Sequence, residues 1–260
     1  MTYATRLVIA LLSLALTLSP AARAAEPVDL LLVLAADVSR SVTEVKFRLQ
    51  REGAAAAISD PDVLKAITSG PTRRIAVCFV EWATTGMQNV VVDWMMIADG
   101  PSARSFGDRL VEAPRSFAGS TSISSAIDFS MTQLDRAPFS SERRVIDVSG
   151  DGNNNSGRPV TDARDEATGK GITINGLVIL TPRAESFRPE HTHPPGGLEK
   201  YFQDNVIGGF GAFTVVAEGH ESFGRALTKK LVAEIAGLPP HQIAGTHPGP
   251  SPAIGDPGAE

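Results

Sequence analysis

From Leu30 to Ala36 the chain reads LLLVLAA, apolar at every position, with no alternation between two faces. Such a run predicts a central strand of a parallel sheet, covered by helices on both sides. Ile75–Val80 (IAVCFV) repeats the pattern. Val90–Asp93 predicts a shorter third strand, and the brief loop Glu81–Asn89 before it suits an antiparallel hairpin with that strand at an edge. Arg144–Val148, Ile172–Leu180 and Ala212–Ala217 supply the remaining strands. Helical spacing fills the intervals. Ser41–Ser59 places Val45, Leu49, Gly53 and Ala56 on one face, with Gly53 and the alanines allowing close approach to the sheet. Ser102–Glu112, Ser122–Leu134 and Thr161–Thr168 predict further helices, and Phe223, Leu227, Leu231 and Ile235 form an i, i+4 series in the last one. The alternation predicts an α/β fold: a doubly wound, mainly parallel sheet with one antiparallel edge strand and helices on both faces.

The two ends break this pattern. Residues 1–24 carry Arg6, an apolar run from Leu7 to Leu18, Pro20, and then Ala22-Arg23-Ala24, with small residues at −3 and −1 of a cut after Ala24. This predicts a cleavable signal peptide and a periplasmic or secreted product. The run is too short for the roughly 20 residues that cross a bilayer, so no stable membrane insertion is expected. Residues 238–260, rich in proline and glycine, predict a disordered tail, leaving 25–237 as one domain.

Composition narrows the chemistry. With 24 basic against 29 acidic residues and no basic run, nothing offers the counter-charge a phosphate backbone needs, so nucleic acid is not an expected partner. The single cysteine, Cys78, excludes an intramolecular disulfide and a cysteine-based zinc site, and reads as a small buried apolar residue.

In doubly wound sheets ligands bind beyond the carboxyl ends of strands. Asp37-Val38-Ser39-Arg40-Ser41 follows the first strand, Gly150-Asp151-Gly152 the fourth, and Gly119-Ser120-Thr121 precedes the helix at Ser122. These are carboxylates and hydroxyls, oxygen donors suited to a hard cation. Alternate residues of an extended turn face the same side, which groups Asp37, Ser39 and Ser41.

The segment Asp37–Ser41 resembles the Asp-x-Ser-x-Ser signature of the von Willebrand factor A domain family. Thr121 and Asp151 fall where that family has the remaining ligands of its metal-ion-dependent adhesion site. The resemblance runs from Val28 to about Gly237 and implies a mainly parallel six-stranded sheet. More narrowly, Val145–Asn155 (VIDVSGDGNNN) and Tyr201–Phe213 (YFQDNVIGGFGAF) resemble a group of exported bacterial A-domain proteins of unknown function. What the resemblance implies is a metal site made of Asp37, Ser39, Ser41, Thr121 and Asp151. It would hold Mg²⁺, with Mn²⁺ or Ca²⁺ as alternatives, and Asp37 would hold ligating water or hydroxyls by hydrogen bonds. The last coordination position in the family is filled by an acidic group of the partner. The chain then reads as an exported, non-enzymatic binding module that recognises a carboxylate on a protein or ligand.

Other readings stand beside these. Ser41 also suits the N-cap of the helix that follows, and Thr121 suits the N-cap of Ser122–Leu134, with Ser120 or Ser122 as the ligand. Asp147, in mid-strand, reads as a buried carboxylate bonded to neighbouring loops. Asn153, Asn154 and Asn155 form a polar loop at the mouth of the site, and Glu81 and Trp82 stand where they could rim it. His191 and His193 (HTHPP) are spaced for a weak transition-metal site, but as a lone pair in a proline-rich stretch they are expected to meet solvent. Gly208, Gly209 and Gly211 mark a turn and not a nucleotide loop. The alternative function is a hydrolase using the same cation or a serine nucleophile, Ser39 or Ser149. No histidine adjoins either serine, His220 is a distant partner, and Gly-x-Ser-x-Gly and Asp-x-Asp are absent.

Overall fold

The structure is a computed structural model and describes residues 25–186 and 188–238. The leader expected at 1–24, and all of the tail expected at 238–260 but Leu238, lie outside the described residues. Strands β1 (Glu26–Pro27) and β5 (Phe139–Ser140) form a small parallel pair. The main sheet contains β2 (Leu31–Asp37), β3 (Ile75–Trp82), β4 (Gln88–Ile97), β6 (Arg144–Gly150), β7 (Thr173–Ile179) and β8 (Thr214–Ala217), in the order β4-β3-β2-β6-β7-β8. Every neighbouring pair is parallel except β3–β4, which is antiparallel.

The uniform apolar run of β2 follows from having two cores. Leu32, Leu34 and Ala36 pack on one side and Leu31, Val33 and Ala35 on the other, as the two-residue strand period requires. The first side is covered by α1 (Glu44–Ile58), α2 (Pro61–Thr68), α3 (Gly100–Glu112) and α8 (Phe223–Ala236). The second is covered by α4 (Ile123–Asp135), α5 (Val160–Gly169) and the short α7 (Leu198–Tyr201). Phe223, Leu227, Leu231 and Ile235 of α8 are all buried, each such side chain contributing about 1.5–3 kcal/mol.

Several elements differ from the sequence reading. Helix α1 starts at Glu44 because Thr43, not Ser41, accepts the capping bond from the Lys46 N–H. Its buried face is Phe47, Gln50, Arg51, Ala54, Ala57 and Ile58, while Val45 is 58% exposed. The face turns because polar Arg51 finds partners inside: it pairs with Glu81 at 2.6 Å and lies over the Phe47 and Phe79 rings. Gly53 serves a helix contact instead of a sheet contact, since a Cβ there would meet the Gly224 backbone of α8 at 3.0 Å. Strand β3 runs on through Glu81 and Trp82, both fully buried, so neither rims the site. Strand β4 is twice interrupted in its register with β3, between Val77 and Phe79 and between Phe79 and Val80. Asp147 is buried, but its partner is a helix: Lys230 of α8 reaches Asp147 Oδ2 at 2.7 Å. Mid-strand on β6, Asp147 faces α8 and not the loops at the strand end.

Candidate functional site

Strand β2 delivers Asp37 to the carboxyl edge of the sheet, where its Oδ1 accepts the Ser39 N–H at 2.7 Å and bends the chain out of the sheet. That turn brings the hydroxyls of Ser39 and Ser41 within 3.0 Å of each other. Ser41 Oγ in turn donates to Asp151 Oδ1 at 2.6 Å, joining the end of β2 to the loop after β6. With Thr43 capping α1, the Ser41 hydroxyl is left for the site.

Neighbouring loops hold this turn in place. Arg115 donates to the carbonyls of Val38 (2.7 Å) and Ser39 (3.1 Å), and the Arg40 N–H donates to Gly119 O at 2.9 Å. Glu81, charge-balanced by Arg51, accepts the Ser116 N–H at 2.9 Å and anchors the segment that carries Arg115. Thr121 is fixed by a reciprocal pair with Asn155, its N–H on Asn155 Oδ1 and its carbonyl on the Asn155 N–H, both 2.9 Å. Ser122, not Thr121, caps α4. The Thr121 hydroxyl therefore remains free of capping, 3.1 Å from His191 Nε2.

The electrostatics are unbalanced. Asp37 and Asp151 are both fully buried, and their Oδ2 atoms have no hydrogen-bond partner among the described residues. Burial, then the charge of Asp151, pushes the Asp37 carboxyl up to about 8. Burial also raises Asp151, opposed by the Ser41 hydroxyl and the charge of Lys46. Leaving such groups unpartnered in a dry site costs free energy that a cation bound by oxygen donors removes. Among the described residues no three His, Cys, Asp or Glu side chains gather as metal ligands, so the donor set consists of two carboxylates and serine and threonine hydroxyls. It fits a hard divalent ion.

The structure thus brings Ser39, Ser41 and Asp151 into one hydrogen-bonded chain, with Asp37 beneath it. Thr121 makes no hydrogen bond to the other four and joins the site through Asn155 and His191. The asparagines brace loops: Asn154 Oδ1 accepts the Ser124 N–H at 3.2 Å, and Asn153 and Asn155 flank the His191 ring. His191 corrects the sequence reading. It is only 9% exposed, seated by a short helix, α6 (Pro189–Thr192), that folds back over the site. The solvent expectation failed because the packing surface comes from Gly152, distant in sequence: a Cβ there would lie 2.0 Å from His191 Nε2. The candidate nucleophiles find no histidine. Ser149 Oγ bonds to Ala35 O at 3.4 Å, Ser39 Oγ lies on Ser41, and His220 makes no hydrogen bond to either among the described residues.

Known proteins bear on this arrangement. A family described as "Protein of unknown function (DUF1194)" matches residues 27–239. No curated protein sequence matches. Among solved structures, a von Willebrand factor type A protein from Catenulispora acidiphila aligns at 13% identity over 80% of this chain and 43% of its own, with TM-score 0.54. The pilus adhesin SpaC from Lactobacillus rhamnosus GG aligns at 14% identity over 81% of this chain and 30% of its own, TM-score 0.56. Proximal thread matrix protein 1 from the mussel byssus, with a zinc-occupied metal-ion-dependent adhesion site, aligns at 10% identity over 81% of this chain and 47% of its own, TM-score 0.54. The chain spans less than half the length of these structures, and what it shares with them is the von Willebrand factor A fold. Among the described residues no helix is long and apolar enough to cross a membrane.

Proposed function

The chain belongs to the DUF1194 family, whose function is unknown, and with its A-domain fold as premise we propose that it is an exported, metal-dependent binding module. The observation that carries this reading is the pair of fully buried carboxylates, Asp37 and Asp151, each with an unpartnered Oδ2 beside serine and threonine hydroxyls. Ser39, Ser41, Thr121 and Asp151 would hold the cation. Asp37, already bonded to the Ser39 N–H, would set the turn and the charge. A bound Mg²⁺, Mn²⁺ or Ca²⁺ supplies an electrophilic position that a carboxylate on a partner protein or ligand completes. Neutral hydroxyls leave more of the ion's charge for that partner than an all-carboxylate cage does. Support comes from the mussel thread protein, where the same fold has a zinc-occupied site of this kind. Export to the periplasm or beyond rests on the leader read at 1–24.

The test is the thermal unfolding midpoint of the purified protein in EDTA and in each cation, beside Asp37→Ala and Ser39→Ala. A cation at a hundred times its dissociation constant adds about 2.7 kcal/mol. For a domain of this size the midpoint rises by about 5–10 °C. A rise in the parent that vanishes in both variants supports the site, and no rise with any cation overturns it.

A further inference from the structure

The site loops carry side-chain and main-chain oxygens, and several of the main-chain carbonyls are already engaged. Val38 O accepts from Arg115 Nη2 at 2.7 Å, and Ser39 O accepts from the same nitrogen and from the Val42 N–H, both at 3.1 Å. Gly119 O accepts the Arg40 N–H and Thr121 O the Asn155 N–H, both at 2.9 Å. The Oδ2 atoms of Asp37 and Asp151, by contrast, have no partner among the described residues. Of these four carbonyls, those of Val38 and Ser39 lie on the Asp37–Ser41 turn itself, and one side chain holds both. Arg115 is fixed in its turn: its Nε donates to Phe117 O at 3.1 Å, and its guanidinium lies over the Phe47 ring, 5.4 Å from the centroid. Val38, Val42, Phe47 and Phe117 pack together as a small apolar cluster beside it.

We propose that Arg115 is a specificity-determining residue of the cation site: by holding the Val38 and Ser39 carbonyls it withholds the extra oxygens a larger ion requires, so the site prefers Mg²⁺ to Ca²⁺. The proposal rests on the cation-site reading and deepens it. Ca²⁺ gathers about six to eight oxygens in a pliable shell, backbone carbonyls among them, whereas Mg²⁺ takes about six in a near-octahedral shell and keeps several waters. A turn that offers hydroxyls but not its carbonyls therefore suits the smaller ion. A carbonyl oxygen has a second lone pair, but an ion on Val38 O would stand within about 5 Å of the guanidinium, and the two positive charges repel. Lysine is no equivalent here, since an ammonium has no second nitrogen for Phe117 O and no plane to lie over the Phe47 ring.

The experiment measures Mg²⁺ and Ca²⁺ dissociation constants by calorimetry for the parent, Arg115→Met, Arg115→Lys and Asp37→Ala. Carbonyl ¹³C resonances of Val38 and Ser39 in the parent, recorded with each ion, need no variant and read carbonyl ligation directly. Expected are a parent that binds Mg²⁺ about 10-fold or more tightly than Ca²⁺, and a preference cut about 5-fold or more in Arg115→Met and by less in Arg115→Lys. In the parent the two carbonyl resonances should not distinguish Ca²⁺ from Mg²⁺. A parent without the Mg²⁺ preference, a preference unchanged in both Arg115 variants, equal weakening of both ions, or a Ca²⁺-specific shift of those carbonyls in the parent overturns the proposal. If the parent binds no ion, or Asp37→Ala binds as the parent does, the cation-site reading fails with it. If Asp37→Ala abolishes binding while the Mg²⁺/Ca²⁺ preference ignores Arg115, only this inference fails.

Discussion

Lys230→Met offers a sharp test of how the sheet and α8 are held together. Lys230 is fully buried, with its ammonium 2.7 Å from Asp147 Oδ2 and bonded to Glu234 one turn along the helix. Glu234 Oε1 also accepts from Asn175 Nδ2 at 2.8 Å, so one cation serves two buried acids on different elements. Burial, then the charge of Glu234, pushes Asp147 up to about 7 even with Lys230 present. Removing one partner of a buried ion pair costs about 3–5 kcal/mol, because the other is left uncompensated. At about 2–4 °C per kcal/mol for a domain of this size, the melting midpoint at pH 7.5 should fall by about 6–20 °C. The deficit should shrink by pH 5, where Asp147 is protonated, and Lys230→Met with Asp147→Asn and Glu234→Gln should recover most of it. Differential scanning calorimetry at both pH values decides the matter. A loss below about 1 kcal/mol at pH 7.5, or the same loss at pH 5, would refute the reasoning.

Other outcomes follow from the same structure. Asp37 and Asp147 both have folded-state values raised above the ordinary carboxylate value of 3.8, to about 8 and about 7. Their contribution is therefore greatest below about pH 4 and is lost as pH rises toward 8; urea midpoints in EDTA should fall across that window, and a bound cation should flatten the slope. Gly152→Ala should cost about 1–3 kcal/mol by overpacking against His191, measured by chemical denaturation, and the histidine ring proton shifts should move. Cys78 is fully buried and its thiol is pushed up to about 12, mainly by burial, so it should resist iodoacetamide at pH 8 in the native protein and react once unfolded in urea.

Strand-level order was readable wherever local pattern and tertiary role coincide. The β2 run LLLVLAA needs no partner to be recognised as doubly covered, and the α8 series of four apolar side chains reports its own buried face. Helix α1 misled because its buried face includes Arg51, whose burial depends on Glu81 thirty residues on; apolar spacing carries no trace of that pairing. Helix α2 was missed although its start is written in the sequence: Asp60 caps it and Pro61 occupies its first turn. The turn Asp37–Ser41 and the Gly-Asp-Gly segment were legible because each sits at the end of an apolar run. His191 was not. Its place depends on a long excursion after β7 folding back onto Gly152, and the sole advance sign was the length of the stretch from Leu180 to Phe213.

The two margins of the sheet limit how this protein can be joined to others. At one, β4 breaks register with β3 twice, and such bulges twist an outer strand away from a flat pairing surface. At the other, β8 has four residues, too few to template a long intermolecular ladder. Lateral growth by strand addition, the route to fibrils, is thus discouraged at both margins, and crowding many copies together carries little risk of sheet-to-sheet polymerisation.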